Sequence, residues 1–146
     1  MATDTIHRFA MAIDDRDWAA FAAVLSDPVD VHLDPSLHSP IEGDHPRQRW
    51  VDQARSFFET LDRTHHHLTL YRIDHDASSD ELVVTSYFRA GHFKSHFVGG
   101  ATFDQVGRYA HRMVPGGMGL IIRGWTQTID YTEGNSKILA TAGGSE

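Results

Sequence analysis

A change in hydrophobic period near Thr64 is the feature that most constrains the fold of this 146-residue chain. Before it, apolar residues recur at helical spacing, as at Ile6, Phe9 and Ile13. After it, apolar and polar residues alternate in four long stretches, about 65–75, 81–93, 102–114 and 120–132. Helices followed by a run of strands predict an α+β fold, in which the helices pack on one face of an antiparallel sheet.

Three helices are predicted before the period changes. The first covers residues 6–13, and Asp17 is a suitable N-cap for a second that continues to Leu25. A third begins near Pro46 and carries an apolar stripe that ends at Leu61.

The remaining segments complete a single predicted domain with its core over residues 4–135. A short strand is expected over 29–33, and three prolines within 35–46 predict a loop. The small, polar segment 136–146 is expected to be a flexible tail.

Composition excludes several classes of function. A net charge of −7 argues against binding to nucleic acid, which requires a basic face. Without cysteine the chain forms neither disulfides nor thiolate metal sites, and its histidines lack a recognised zinc spacing. No apolar stretch is long enough to cross a membrane, and the N-terminus lacks the pattern of a signal peptide, so we expect a cytoplasmic protein.

Short motifs resemble the SnoaL-like branch of the nuclear transport factor 2-like superfamily. They are Ala12-Ile13-Asp14-Asp15-Arg16-Asp17-Trp18, Tyr87-Phe88-Arg89-Ala90, Gly107-Arg108-Tyr109, and the segment from Trp125 to Asn135. The resemblance implies a cone-shaped α+β barrel, with three N-terminal helices against a strongly curved, mostly antiparallel sheet. It also implies a homodimer formed through the outer sheet face, and a hydrophobic small-molecule substrate or ligand handled without an organic cofactor.

The resemblance points to Asp14 and His66 as a catalytic pair. Hexachlorocyclohexane dehydrochlorinase, bile-acid dehydratase and scytalone dehydratase, lyases of this superfamily, carry an Asp–His dyad at matching positions. Histidine imidazole can remove a proton next to an activating group, while the carboxylate fixes its tautomer. Strand alternation should place His65 and His67 on the opposite face from His66. The leading expectation is therefore proton abstraction that leads to elimination or isomerisation.

This chain departs from the dehydratases on the first helix, where Phe9 replaces a tyrosine that acts as acid or polariser. An auxiliary acid or polar pocket group would then come from His92, Tyr109 or His111. Phe9, Trp50, Phe88 and Tyr109 are the residues expected to line the pocket.

Two alternative functions remain open from the sequence. Asp34, before a proline, matches the general base of ketosteroid isomerase, but Phe9 and Ala110 stand where that enzyme has its oxyanion hole. A non-catalytic module that binds a small molecule or a partner is the other alternative, since fold does not decide function. Contact between Asp14 and His66 distinguishes the dyad enzyme from a binding module.

Overall fold

Helices pack against one face of a curved, mostly antiparallel six-stranded sheet, as the α+β prediction requires. The computed structural model describes residues 1–34, 42–117 and 119–143. In chain order the elements are α1 (Ala2–Asp14), α2 (Trp18–Ala23), β1 (Leu25–His32), β2 (Asp44–His45), α3 (Arg47–Phe58), β3 (Arg63–Asp76), β4 (Glu81–Phe93), β5 (Thr102–Gly116), β6 (Gly119–Gly134) and α4 (Lys137–Gly143).

The sheet order is β2-β1-β6-β5-β4-β3, so the sheet is open, with β2 and β3 at its edges. Strands β3 to β6 form an antiparallel meander, because short polar or glycine-containing turns join each strand to the next. Strand β1 pairs in parallel with β6 and antiparallel with β2. The pairing register of the long strands therefore determines which inward-facing side chains are neighbours.

The break between α1 and α2 positions the end of α1. Asp17 caps α2 by accepting a hydrogen bond from the Ala20 amide at 3.0 Å, which confirms the predicted N-cap. Arg16 adopts the left-handed conformation with φ of 60°. Its guanidinium donates to the Ile13 carbonyl at 2.8 Å and so satisfies an acceptor in the last turn of α1.

The main core lies between α1 and the inner face of the sheet. Phe9 is its centre, with ring centroids 5.6 Å from Phe21, 6.4 Å from Tyr109 and 5.1 Å from Trp125. This packing explains why the apolar stripe of α1 recurs at helical spacing, since Ile6, Phe9 and Ile13 all belong to this core.

Two sequence predictions about segment ends are corrected. Leu25 begins β1 and does not end α2, because its main chain joins the edge of β6. The tail prediction is wrong for residues 137–143, which form α4. Ile138 and Leu139 are buried against Leu61 and Phe103, and this apolar contact holds the segment on the sheet.

Three further predictions concern the loop, the membrane and the dimer. Residues 35–41 of the predicted loop lie outside the described residues, while 44–45 form β2. Within the described parts of the chain, no helix is long and apolar enough to cross a membrane. The homodimer stays a prediction. Exposed Tyr87 and Tyr131 mark the outer sheet face where it would form.

Candidate active site

Asp14 and His66 meet where the C-terminus of α1 approaches the start of β3. The Nδ1 atom of His66 lies 2.7 Å from Oδ1 of Asp14. The backbone amide of His66 donates to Oδ2 of the same carboxylate at 2.8 Å. Because the ring and the main chain of His66 both bind this carboxylate, the residue is held at two points.

Thr64 and Arg16 extend this contact into a short hydrogen-bonded chain. The Thr64 hydroxyl donates to Oδ1 of Asp14 at 3.1 Å and accepts from Nη1 of Arg16 at 2.8 Å. The Arg16 guanidinium also lies over the Phe58 ring, 5.9 Å from its centroid. Oδ1 of Asp14 is therefore held by the Thr64 hydroxyl as well as by His66.

The pair is sheltered from water. The His66 side chain is 4% exposed and that of Asp14 is 16% exposed. Burial alone would raise the pKa of the Asp14 carboxyl, but the hydrogen bonds and charge of His66, with a further bond from Thr64, outweigh it and lower that pKa. Asp14 is thus a carboxylate at neutral pH.

This geometry selects one tautomer of the neutral imidazole. A carboxylate only accepts hydrogen bonds, so Nδ1 of His66 carries the proton and Nε2 carries the free lone pair. Within the described parts of the chain, Nε2 makes no hydrogen bond. The arrangement leaves a basic nitrogen available to a bound molecule.

A groove of about 270 Å³ lies between α1 and β3 beside the pair. Its lining is mainly apolar, with Ile6, Ala10, Leu68 and Tyr71, and it also includes three histidines, His7, His66 and His67. A larger surface groove, about 620 Å³, lies between α1, α2 and the β5–β6 turn, and contacts neither Asp14 nor His66.

His92 lies opposite Thr64 on β4, close to the dyad. Its Nδ1–H donates to the Phe103 carbonyl at 2.9 Å. Burial lowers the pKa of His92 to about 4, against the opposing effect of that hydrogen bond. At neutral pH, His92 is therefore uncharged and offers a hydrogen-bond acceptor at Nε2.

His111 and Tyr109 lie deeper, in the aromatic core. His111 is fully buried, and neither ring nitrogen has a partner among the described residues. Burial lowers the pKa of His111 to about 3 and raises the pKa of the Tyr109 hydroxyl above its ordinary value. His111 packs 4.9 Å from Phe9 and 5.1 Å from Tyr109, measured between ring centroids.

Asp34, the alternative base, follows β1 and contacts β6. Its Oδ2 accepts a hydrogen bond from the backbone amide of Ile129 at 2.8 Å. The Asp34 carboxylate therefore binds a main-chain amide of β6 and is not part of the Asp14–His66 pair.

The aromatic residues expected to line a pocket are all buried. Phe9, Trp50 and Phe88 belong to the main core, where Phe88 stacks on Tyr109 at 4.2 Å and Trp50 contacts Trp125 at 5.8 Å. None of the three lines either groove described above.

Sequence reasoning gave no role to Arg16 or Gln105, and noted Thr64 only as the residue before the histidine run. Arg16 lies in a polar turn that is typical of a solvated linker. Gln105 is one polar residue in a long alternating strand. Only its inward position in the alternation could have marked it as buried.

Among the residues that the structure describes, no group of three or more His, Cys, Asp or Glu side chains is arranged to hold a metal ion.

An open curved sheet wrapped on three N-terminal helices is the fold of the nuclear transport factor 2-like class. The family model of the SnoaL-like domain matches residues 2–126. The chain belongs to the SnoaL-like domain family.

Solved structures share this fold at low sequence identity. A protein from Kribbella flavida is 22% identical, with a TM-score of 0.81 over 94% of this chain and 93% of that chain. A candidate scytalone dehydratase from Novosphingobium aromaticivorans is 17% identical, with a TM-score of 0.75 over 92% and 85% of the two chains. A type 2 hexachlorocyclohexane dehydrochlorinase is 12% identical, with a TM-score of 0.73 over 92% and 86%. A search of curated proteins found no significant match.

Proposed function

We propose that this protein is a small-molecule lyase that removes a proton from carbon with His66, oriented by Asp14, and completes an elimination. Isomerisation through the same proton abstraction is the closest variant of this reaction. The observation that carries the proposal is the 2.7 Å contact between Nδ1 of His66 and the Asp14 carboxylate, reinforced by the backbone amide of His66.

The proposed chemistry begins at Nε2 of His66. Its lone pair takes a proton from a carbon next to an activating group, and the electrons of the broken C–H bond form a new double bond as the leaving group departs with its own pair. The imidazolium formed at His66 is stabilised by the charged Asp14 carboxylate. A departing halide needs no proton, whereas a departing hydroxide takes one and leaves as water.

The source of that second proton follows from the state of the neighbouring histidines. His92 is neutral with its proton on Nδ1 and engaged by Phe103, so it accepts at Nε2 and has no proton to give there. The His66 imidazolium is then the proposed acid as well as the base. This accounts for a dehydration without the first-helix tyrosine, whose place Phe9 takes.

The comparisons support elimination as the reaction class, since two structural neighbours are named as a dehydratase and a dehydrochlorinase. We favour His66 over Asp34 as the base because Asp34 binds a sheet amide whereas Nε2 of His66 is available. The apolar groove beside His66 supports a hydrophobic substrate.

A substrate screen with two matched histidine variants tests the proposal. Hydrophobic β-hydroxy ketones are followed by enone absorbance and chlorinated cyclohexanes by chloride release. His66→Gln should lose activity by about 10²- to 10⁴-fold, the range for general-base catalysis. His65→Gln, one residue away on the exposed face, should match wild type. Equal rates in the two variants would contradict His66 as the base.

A further inference from the structure

A buried amide, Gln105, lies in the same cross-strand row as His66. In the sheet register His66 is opposite Ala90, and Ala90 is opposite Gln105. Opposite residues share a face, so the three side chains point to the same inner surface. Gln105 is 4% exposed, and its Nε2 has no hydrogen-bond partner in the described parts of the chain.

An unpaired donor in the interior destabilises the folded protein, and native structures generally pair such groups with protein, water or ligand. Gln105 shares a row with the proposed base, and Ala90 between them contributes only a methyl group. Gln105 does not line the groove beside His66, so a molecule satisfies the amide only if it extends from His66 across Ala90 toward the interior.

The spacing fits a particular substrate class. Strands β3 and β5 are two strands apart in the sheet, so their backbones are separated by about 9.6 Å. Because the sheet is curved, side chains on its inner face lie closer together than that. A carbonyl oxygen lies about 2.4 Å from the carbon next to the carbonyl. With a contact of about 3 Å at each end, such a substrate spans about 8 Å between Nε2 of His66 and the amide nitrogen.

We propose that Gln105 binds the carbonyl oxygen of the substrate, and that the substrates are hydrophobic carbonyl compounds with a hydrogen on the adjacent carbon. This inference rests on the proposed function of His66. The C–H proton passes to Nε2 of His66, and the electron pair of that bond moves into the carbonyl to give an enolate oxygen. The Nε2–H group of Gln105 donates to that oxygen, and expulsion of a leaving group from the next carbon reforms the carbonyl.

The amide acts most strongly after the proton has moved. A hydrogen bond to an oxygen strengthens as negative charge develops on it, and removal of one such donor typically slows a reaction by about 10²-fold or more. Gln105 thus takes the place of the polariser that Phe9 cannot supply on α1.

The test uses 2-tetralone, a bicyclic ketone, and tetralin, the hydrocarbon of the same shape. Exchange of the ketone's acidic protons in D₂O is followed by NMR, and the affinities of both compounds are measured by calorimetry. Gln105→Met and Gln105→Leu remove the amide at similar volume. Gln127→Met is the matched control, because Gln127 is another buried glutamine that lies opposite Tyr109.

In wild type we expect exchange that His66→Gln abolishes, and tighter binding of the ketone than of tetralin. Gln105→Met should slow exchange by about 10²-fold and reduce the preference for the ketone by about tenfold, while tetralin affinity stays unchanged. Gln127→Met should behave as wild type.

Failure of this inference is distinguishable from failure of the proposed function. Wild-type exchange rates in both folded Gln105 variants, or no preference for the ketone over tetralin in wild type, would overturn the role of Gln105. No exchange in wild type, combined with a ketone preference that Gln105→Met removes, would overturn the role of His66 as base and uphold the carbonyl site.

Discussion

His66 and His111 are two inward-facing histidines of one sheet with opposite environments. His66 lies opposite Ala90 of β4 and His111 lies opposite Val84, and these two positions are about 20 Å apart along β4. His66 binds a carboxylate and keeps one basic nitrogen available, whereas His111 is enclosed by aromatic rings with both nitrogens unpartnered among the described residues. The comparison teaches that burial alone leaves a histidine without a hydrogen-bond partner, whereas burial beside a carboxylate fixes its tautomer and leaves one nitrogen available.

The largest expected effect separates the two histidines by activity. His66→Gln should reduce turnover by about 10²- to 10⁴-fold, because it removes the proton acceptor. His111→Leu, which replaces a buried ring by an apolar side chain of similar volume, should keep turnover close to wild type. Steady-state rates on the substrate found in the screen check this, and a comparable loss in both variants would break the comparison.

Loss of the carboxylate should have the next largest effect. Asp14→Asn removes the charge that stabilises the His66 imidazolium and permits the wrong tautomer, so we expect about a hundredfold loss of turnover. Asp15→Asn, at the adjacent exposed position, is the control. Wild-type turnover in Asp14→Asn would reduce Asp14 to a residue that only ends α1.

The pH dependence of stability should sharpen the contrast. His111 is held neutral in the folded protein with a pKa of about 3, while an unfolded histidine titrates near 6.5, so the unfolded state binds more protons between these values. The contribution of neutral His111 to the free energy of unfolding is therefore fully present above pH 6.5 and is lost as the pH is lowered. The loss at this one residue reaches on the order of 3 kcal/mol by about pH 4.

Denaturant unfolding of wild type and His111→Leu across this window measures the effect. The variant should lose less stability on acidification, and His92, whose pKa is lowered to about 4, accounts for part of the loss that remains. The contribution of Asp14 to stability is lost in a lower pH range. Because the pKa of Asp14 is lowered, that contribution disappears only below the ordinary pKa of aspartate. Parallel stability curves for wild type and His111→Leu would contradict the neutral, buried state of His111.

The smallest expected effect concerns the hydroxyl that supports Asp14. Thr64→Val keeps the shape but removes the hydrogen bonds to Asp14 and Arg16, so turnover should fall about fivefold, as for one hydrogen bond. Because the Thr64 bond lowers the pKa of Asp14, the pKa of that carboxyl, followed by ¹³C NMR, should be higher in Thr64→Val. Thr64→Ser should restore both the rate and the carboxyl pKa, whereas wild-type values of both in Thr64→Val would remove Thr64 from the site.

The sequence predicted the fold well because its signals are local. The helical stripe of α1 and the alternation in β3 to β6 depend only on neighbouring residues. Asp14 and His66 were found through a family resemblance, since nothing local links residues 52 positions apart in the chain.

The elements that were missed depend on distant contacts. The segment 137–143 has only two large apolar residues, Ile138 and Leu139, and it is ordered by their contact with Phe103. Strand register places Gln105 in the same cross-strand row as the proposed base, two strands away, and composition does not reveal register. Arg16 contacts Thr64 from a left-handed turn conformation, which the sequence does not reveal.

The most direct test of the central claim is the tautomer of neutral His66, measured by long-range ¹H–¹⁵N NMR of the imidazole at mildly alkaline pH. The account predicts a proton on Nδ1, shared with Asp14, and a bare lone pair on Nε2. The Asp14→Asn variant should lose this preference. A proton on Nε2 in the wild-type protein would contradict the account, because His66 could not then accept a proton from a substrate.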